Sequence, residues 1–398
     1  MLKSDPYLLI ELNSYDVVFY AIESDEQNNL EIICEKKISI TSDEKDTIID
    51  FDKINSIIKK NIYLIEIDLN LTFKDTILIL DTLNINYINL SGYKKLNGSQ
   101  VLRENITYIL NSLKSYVNEI EPKKKIIHIF NSKFNLDNKK INNLPIGLFG
   151  DFYSHELSFL LIDKNDLKNL KKIFDNCNLK IKKIINKSFV TGANLSDNFK
   201  NIDTFFHVKI LEETSRVFYF ENNSLKFEQK FKFGTNIILN DISKITSLKK
   251  DIIINILDEI DLNSQIPEDD LIENKFYGET SLRKIKKKLI YDIAFARIKE
   301  ISEIIIFNNI NLKYYNNLSK VIFLETNVEH KLSGLKGVYK NIFSKDGLID
   351  LNFHNTISSE SFIRTANKIV HFGWKKEAIP VTQTQKSIIG RFFDALFG

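Results

Sequence analysis

Two strand–turn–strand units set two hundred residues apart constrain the fold more than any other feature of this sequence. In the first, Tyr7 to Ile10 reads as a buried strand, Asn13-Ser14 as a turn and Val17 to Ala21 as the returning strand. In the second, Phe206 to Ile210 leads in, Leu211 to Ser215 turns and Val217 to Phe220 returns. The return strands, Val17-Val18-Phe19-Tyr20 and Val217-Phe218-Tyr219-Phe220, share position and chemistry, which points to a duplicated domain. At 398 residues the chain has room for two cores, since single cores rarely grow past about 250–300 residues.

Around these units strands and helices alternate. Leu30 to Ile40 fits a strand, Thr47 to Lys60 a helix, and the apolar–polar alternation of Asn61 to Leu71 another strand. Gln100 to Ile120 carries helical spacing and stops near Pro122, and Lys125 to Phe130 follows as a strand that includes His128. Leu157 to Ile162 reads as a strand, Asp163 as the N-cap of a helix reaching Cys177, and Lys180 to Ile185 as a short strand. Asp251 to Ile260 and Ser281 to Ile306 read as helices and Lys320 to Leu324 as a strand. The pattern predicts an α/β fold with mixed sheets.

Composition excludes several functions. A net charge of +3, with basic runs at Lys123 to Lys125 and Arg283 to Lys288 that lack interleaved aromatics, argues against nucleic acid. Cys34 and Cys177 lie far apart without CxxC spacing, as expected of free thiols in a reducing cytoplasm. The six histidines (128, 155, 207, 330, 354, 371) never fall at i,i+4 or beside a cysteine, so no zinc motif and no metal site is expected. The start carries Asp5 and Glu11 and does not read as a signal peptide, and no run of 18 apolar residues occurs. The expected location is therefore cytoplasmic, with any membrane attachment peripheral. Such an attachment is expected at the far end. Trp374 to Gln385 reads as a polar linker, and in Lys386 to Phe397 a helix would place Ile388, Ile389, Phe392, Phe393, Ala395, Leu396 and Phe397 on one face. Large residues on one face of a short helix after a linker are the profile of an interfacial anchor.

Three blocks resemble the FtsA family of actin-like bacterial cell division proteins. In residues 126–181, Pro145, Gly147 and Gly150 fill a family motif of Asn-Pro-hydrophobic-Gly-x-x-Gly, and Cys177 fills a Cys-Gly-Leu position. Gly234-Thr235-Asn236-Ile237 through Asp241-Ile242 resembles a Gly-Gly-x-x-hydrophobic-x-x-Asp-Ile segment, and Ile363 to Gly373 with the amphipathic end resembles the family's C-terminus. The resemblance implies an actin-like, ribonuclease H-like duplicated α/β fold with an FtsA-type 1C insertion. Subdomain 1A would span residues 1–80, 162–192 and 346–373; 1C, 81–161; 2A, 193–227 and 304–345; and 2B, 228–303. A linker (374–385) and an amphipathic membrane-targeting helix (386–398) complete it.

The family's nucleotide pocket falls on Glu11, Asn13 and Ser14 in the first hairpin and on Lys209 and Thr214 in the second. Gly234, Thr235, Asn236, Arg297, Glu300 and Asn327 complete it. The departures are severe. The first hairpin has Asn13 for glycine and Asp16 for lysine, and the second reads Lys209-Ile210-Leu211-Glu212-Glu213-Thr214-Ser215-Arg216, without its aspartates and glycines. Glycines let backbone amides approach phosphate and aspartates position magnesium, while Glu212 and Glu213 repel phosphate. ATP with magnesium is what the family would bring, but no cofactor, catalytic residue or hydrolysis is expected; Lys209 and Arg216 leave weak binding by charge alone. The implied function is an adaptor, not an enzyme. It would bind the C-terminal peptide of FtsZ through 2B, attach to the inner membrane on its cytoplasmic side at the division site, self-associate into filaments and engage downstream divisome proteins. The alternatives are a PilM-like pilus-assembly adaptor and an actin-like ATPase.

Overall fold

The computed structural model describes residues 6–24, 30–40, 51–81, 84–259, 266–273, 284–315, 320–326, 333–343 and 349–378. They form two compact units, one of residues 1–200, 222–226 and 357–398 and one of residues 201–221 and 227–356.

The first unit begins with β1 (Tyr7–Leu12), β2 (Asp16–Ser24), β3 (Leu30–Ser39), α1 (Phe51–Leu69) and β4 (Asp75–Leu80). It continues with β5 (Asn86–Lys95), α2 (Arg103–Ile120), β6 (Lys124–Leu136), β7 (Lys139–Ile141) and β8 (Phe152–Asp163). Then come α3 (Lys164–Asp175), β9 (Lys180–Asn186) and α4 (Lys187–Asn198). A five-stranded sheet runs β3-β2-β1-β4-β9, antiparallel across β1/β2 and parallel across β1/β4 and β4/β9. Its central strands are apolar and buried on both faces, as parallel strands between helices must be. A second sheet, β5-β8-β6-β7, is antiparallel throughout and packs α2 against it.

Two expectations fail in this unit. Residues 61–69 are not a strand but the second half of α1. Strand alternation would put Tyr63 and Ile67 on the same inner face as Ile65, yet they are 63% and 56% exposed. The residues that bury are Ile54, Ile58, Ile62 and Ile65, a helical stripe, and no breaker separates Lys60 from Asn61. The helix closes at Asn70, which adopts a left-handed φ of 51°, a usual helix stop. The second failure is the linker. Residues 374–378 belong to the fold: Trp374 is buried and donates to the Asn223 carbonyl, Asn131 N–H donates to the Lys376 carbonyl, and Ala378 N–H donates to the Ile129 carbonyl. Polar composition misleads here because Glu377 is buried on charged and polar partners described below; residues 379–385 lie outside the described residues.

The second unit carries β10 (Phe205–Ile210), β11 (Ser215–Glu221), the larger part of β12 (Ser224–Phe231), α5 (Asn236–Thr246), α6 (Lys250–Glu259) and α7 (Lys287–Ser302). A π turn (Glu303–Phe307) follows, then β13 (Val321–Thr326), α8 (Ser333–Phe343) and β14 (Asp350–Phe353). Its sheet runs β12-β11-β10-β13-β14, with β10/β11 antiparallel and β10/β13 and β13/β14 parallel. This is the strand order and sense of the first sheet, so the duplication read from the hairpins is real. Isoleucines of α5 to α7, with Leu335, Val338, Tyr339 and Phe343 of α8, fill the core on one face of this sheet. The helix expected over Ser281 to Ile306 begins only at Lys287; among the described residues before it, Lys286 instead bridges to Leu271. The chain returns to the first unit in α9 (Ser359–Phe372), capped by the Ser358 hydroxyl and packed on α4.

Candidate functional site

β1 and β2 turn at the carboxyl ends of β1, β4 and β9, the edge where open α/β sheets bind ligands. Asn13 closes the turn: its N–H donates to the Asp16 carbonyl at 2.9 Å and its side-chain amide to the Asp16 carboxylate at 2.5 Å. Ser14 is exposed at the tip. Glu11, buried at the end of β1, pairs with the Nζ of Lys187 at 2.5 Å, and Lys187 also donates to Asn13 Oδ1 at 3.1 Å. Lys187 opens α4, whose N-cap is the Asn186 side chain. Burial pushes the Lys187 ammonium down, but Glu11, Asp81 and Asp16 together outweigh it and leave its pKa raised. Glu11 at this edge is thus paired with a cation of the chain itself.

The second hairpin is closed in a comparable way. Leu211 N–H donates to the Thr214 carbonyl at 2.9 Å. Lys209 pairs with Glu325 at 2.9 Å and Arg216 lies 3.8 Å from Glu228, so both cations already face carboxylates. The carbonyls of Leu211 and Glu212 accept from the N–H groups of Thr235 and Asn236 at 2.8 and 3.0 Å, and Asn236 Nδ2 donates to Glu213 at 2.6 Å. The N–H groups of Thr235 and Asn236 at the start of α5, which could otherwise meet an anion, are therefore spent on the hairpin. Gly234 shows how close the two backbones run: a Cβ there would stand 2.1 Å from the Leu211 oxygen and 2.6 Å from that of Glu212. Arg297 on α7 bonds Asp241 of α5 and its own neighbour Glu300, clamping the two helices. Beside this clamp lies an open depression of about 540 Å³ lined by Asp241, Lys244, Ile245, Asp292, Ile293 and Arg297, among others.

No family model matches the sequence. Cell division protein FtsA of Buchnera aphidicola subsp. Schizaphis graminum is 23% identical over 201 residues, covering 50% of this chain and 47% of that protein. FtsA of Neisseria meningitidis serogroup B is 22% identical over 226 residues, covering 56% and 54%. FtsA of Helicobacter pylori is 25% identical over 121 residues, 30% of this chain and 24% of that protein. The chain is a divergent relative of FtsA. The matches span about half the length of the curated FtsA proteins or less. Among solved structures, a chain of a PilM-PilN type IV pilus biogenesis complex superposes with a TM-score of 0.51 at 8% identity, covering 92% of this chain and 98% of its own. With the duplicated sheets, this establishes the actin-like ATPase fold.

Of the residues the FtsA resemblance marks, Asn327 and the apolar face of Ile388, Ile389, Phe392, Phe393, Leu396 and Phe397 lie outside the described residues. The Pro145–Gly150 segment is a turn: Gly147 takes a φ of +84°, and its N–H donates to the Val101 carbonyl at 2.9 Å. The basic run is compensated rather than open. Lys286 faces Asp269 at 2.9 Å, Lys287 faces Asp270 at 2.9 Å and Lys288 faces Asp292 at 3.2 Å. Sequence reasoning also missed Lys187 and a buried group formed by His128, Lys183 and Glu377. For Lys187 the signal was present: a cation directly after the Ile184-Ile185-Asn186 end of β9, where a sheet edge meets a helix start.

Proposed function

We propose that this protein is a nucleotide-independent adaptor of the division machinery, holding FtsZ filaments to the cytoplasmic face of the inner membrane. The observation that carries the reading is the use of glycine at the two hairpins. Glycine stands where backbone must touch backbone, at Gly234, and not where backbone would have to touch phosphate, at Asn13 and Glu212. Lys187 sits among the first hairpin's carboxylates, which disfavours a second cation there. The hairpins act as structural clasps, and the kinship to FtsA supports the division role.

Residues 81–161 serve as the 1C insertion, and the depression between α5 and α7 receives the FtsZ tail peptide. Its mixed lining, apolar at Ile245 and Ile293 and charged at Lys244 and Asp292, suits a short extended or helical peptide with both kinds of side chain. Residues 386–398 supply the anchor. Six large side chains contribute roughly 1–1.5 kcal/mol each on partial burial, and ordering about twelve residues costs a comparable amount. One anchor binds marginally, so stable attachment comes from several held together in a filament.

A PilM-like pilus adaptor is the second reading, favoured by the coverage of the PilM-PilN match. Vesicle pelleting separates the two. The full chain is expected to pellet with anionic vesicles, and a chain ending at Gln385, or the Phe393→Asp variant, to stay in the supernatant with its melting curve unchanged. Equal pelleting of all three removes the anchor and leaves the pilus reading in its place.

A further inference from the structure

Along the second sheet, Phe206, Val208, Ile210, Ile322 and Leu324 face the helical core. The alternate residues therefore face the other way. The strands β10, β13 and β14 run parallel, with Lys209 beside Glu325 on that other face and, one residue earlier on the core face, Leu324 beside Phe353. The next position on β14's path brings His354 alongside Glu325, and His207 stands one pleat back on β10. One donor atom from each of His207, Glu325 and His354 lies within 4.8 Å of the others. His207 and Glu325 are 2% and 3% exposed.

The group has unspent donors. His207 Nδ1 and His354 Nε2 are buried without a hydrogen bond, a disfavoured state in a protein interior. His354 Nδ1 donates to the Asn355 carbonyl at 2.9 Å, which places its proton there and leaves the Nε2 lone pair free. Glu325 divides its oxygens: Oε1 takes Lys209 at 2.9 Å, while Oε2 faces His207 Nε2 at 3.3 Å.

We infer that His207, Glu325 and His354 form a binding site for a divalent transition ion of the zinc class. Two imidazoles and a carboxylate match that ion; calcium and magnesium take oxygen ligands, and soft ions such as Cu(I) take sulfur. Zinc bonds of about 2.0–2.1 Å put tetrahedral donors roughly 3.4 Å apart, so the side chains close inward on binding, and the fourth position takes water. The rings of Phe218 and Phe323, beside His207 and His354, supply an apolar wall. The ion would staple three parallel strands at the carboxyl edge of the sheet. This site is independent of the division role proposed above.

The test uses the full chain, stripped with a chelator and titrated with zinc against a chromophoric competitor. The expected result is one equivalent bound per chain with a rise in melting temperature. His354→Ala should weaken binding at least tenfold and abolish the rise, while its metal-free melting curve matches the unaltered protein, since His354 is only half-buried. Glu325→Gln should weaken binding similarly, and His371→Ala, on the exposed end of α9, should change nothing. Cobalt should give the visible spectrum of a tetrahedral nitrogen–oxygen site, lost in His354→Ala. Absence of stoichiometric binding, or equal affinity in His354→Ala and the unaltered chain, overturns the assignment.

Discussion

Removing the Glu377 carboxylate should unlock the end of the described chain at a cost that can be worked from the structure. Glu377 accepts from His128 Nδ1 at 2.8 Å and lies 3.4 Å from the Nζ of Lys183, whose side chain is, like its own, 2% exposed. The His128 tautomer is set because its Nε2 accepts from the Asn186 N–H at 3.2 Å. Lys183 also donates to the Ile369 carbonyl at 3.1 Å. Glu377→Ala strands the buried ammonium, and breaking a buried pair from one side costs about 3–5 kcal/mol. The carboxyl gives a second route to the number. Burial pushes it up, but Lys183 and His128 prevail and hold it at about 2, against an ordinary 4.5. That difference is worth about 3 kcal/mol. A lowered carboxylate pKa means the stabilisation is complete above about pH 4.5 and is lost as pH falls toward about 2, because the unfolded chain binds the proton first. In a unit of this size about 2–4 °C accompanies each kcal/mol, so the melting temperature should fall by about 6–20 °C at neutral pH. Glu377→Gln should fall less and should lose the extra acid sensitivity of this group. Calorimetry from neutral pH down to about pH 3 measures both, and Glu377→Leu combined with Lys183→Met should recover much of the loss, since an apolar pair needs no partner. A fall under about 2 °C for Glu377→Ala, or a double variant as unstable as the sum of the singles, would refute the reasoning.

Gly234→Ala should cost several kcal/mol, on the order of the worst overpacking, because the Leu211 and Glu212 oxygens leave no room for a Cβ; chemical denaturation should show it as a lowered midpoint. Lys187→Met should destabilise by about 3 kcal/mol by leaving Glu11 buried without its cation. Its contribution, from a raised lysine pKa, is present throughout neutral pH and fades only above the ordinary lysine range. Ile245→Glu, at a position 59% exposed, should leave the melting temperature unchanged and weaken FtsZ-tail binding about tenfold in fluorescence anisotropy. Unchanged affinity there would move the peptide away from the α5–α7 depression.

Short-range signals made the hairpins, the Asp163 cap and the strand–helix alternation legible, because each depends on a few neighbouring residues. Asp163 does accept from Asn165 N–H at 2.7 Å. What stayed hidden depends on partners far along the chain. β5 escaped notice because its Asn, Ser, Gly and Lys residues carry little apolar signal; pairing with β8 holds it. Glu377 read as linker because its partners lie 194 and 249 positions away. Lys286 to Lys288 read as a basic patch because the carboxylates that answer the first two, Asp269 and Asp270, precede a stretch of intervening chain. The histidines gave no metal motif because parallel pairing, not spacing, brings His207 to Glu325 and His354. The loss of hairpin glycines was plain in the sequence, but only the backbone geometry explains why Gly234 remained.

The most direct test of the central claim is flotation of a labelled FtsZ C-terminal peptide with anionic vesicles, the full chain and either no nucleotide or magnesium-ATP at millimolar concentration. A nucleotide-independent adaptor carries the peptide to the vesicle fraction equally in both conditions, and a chain ending at Gln385 leaves it behind. Peptide that floats only with ATP, or that never floats with the full chain, contradicts the account.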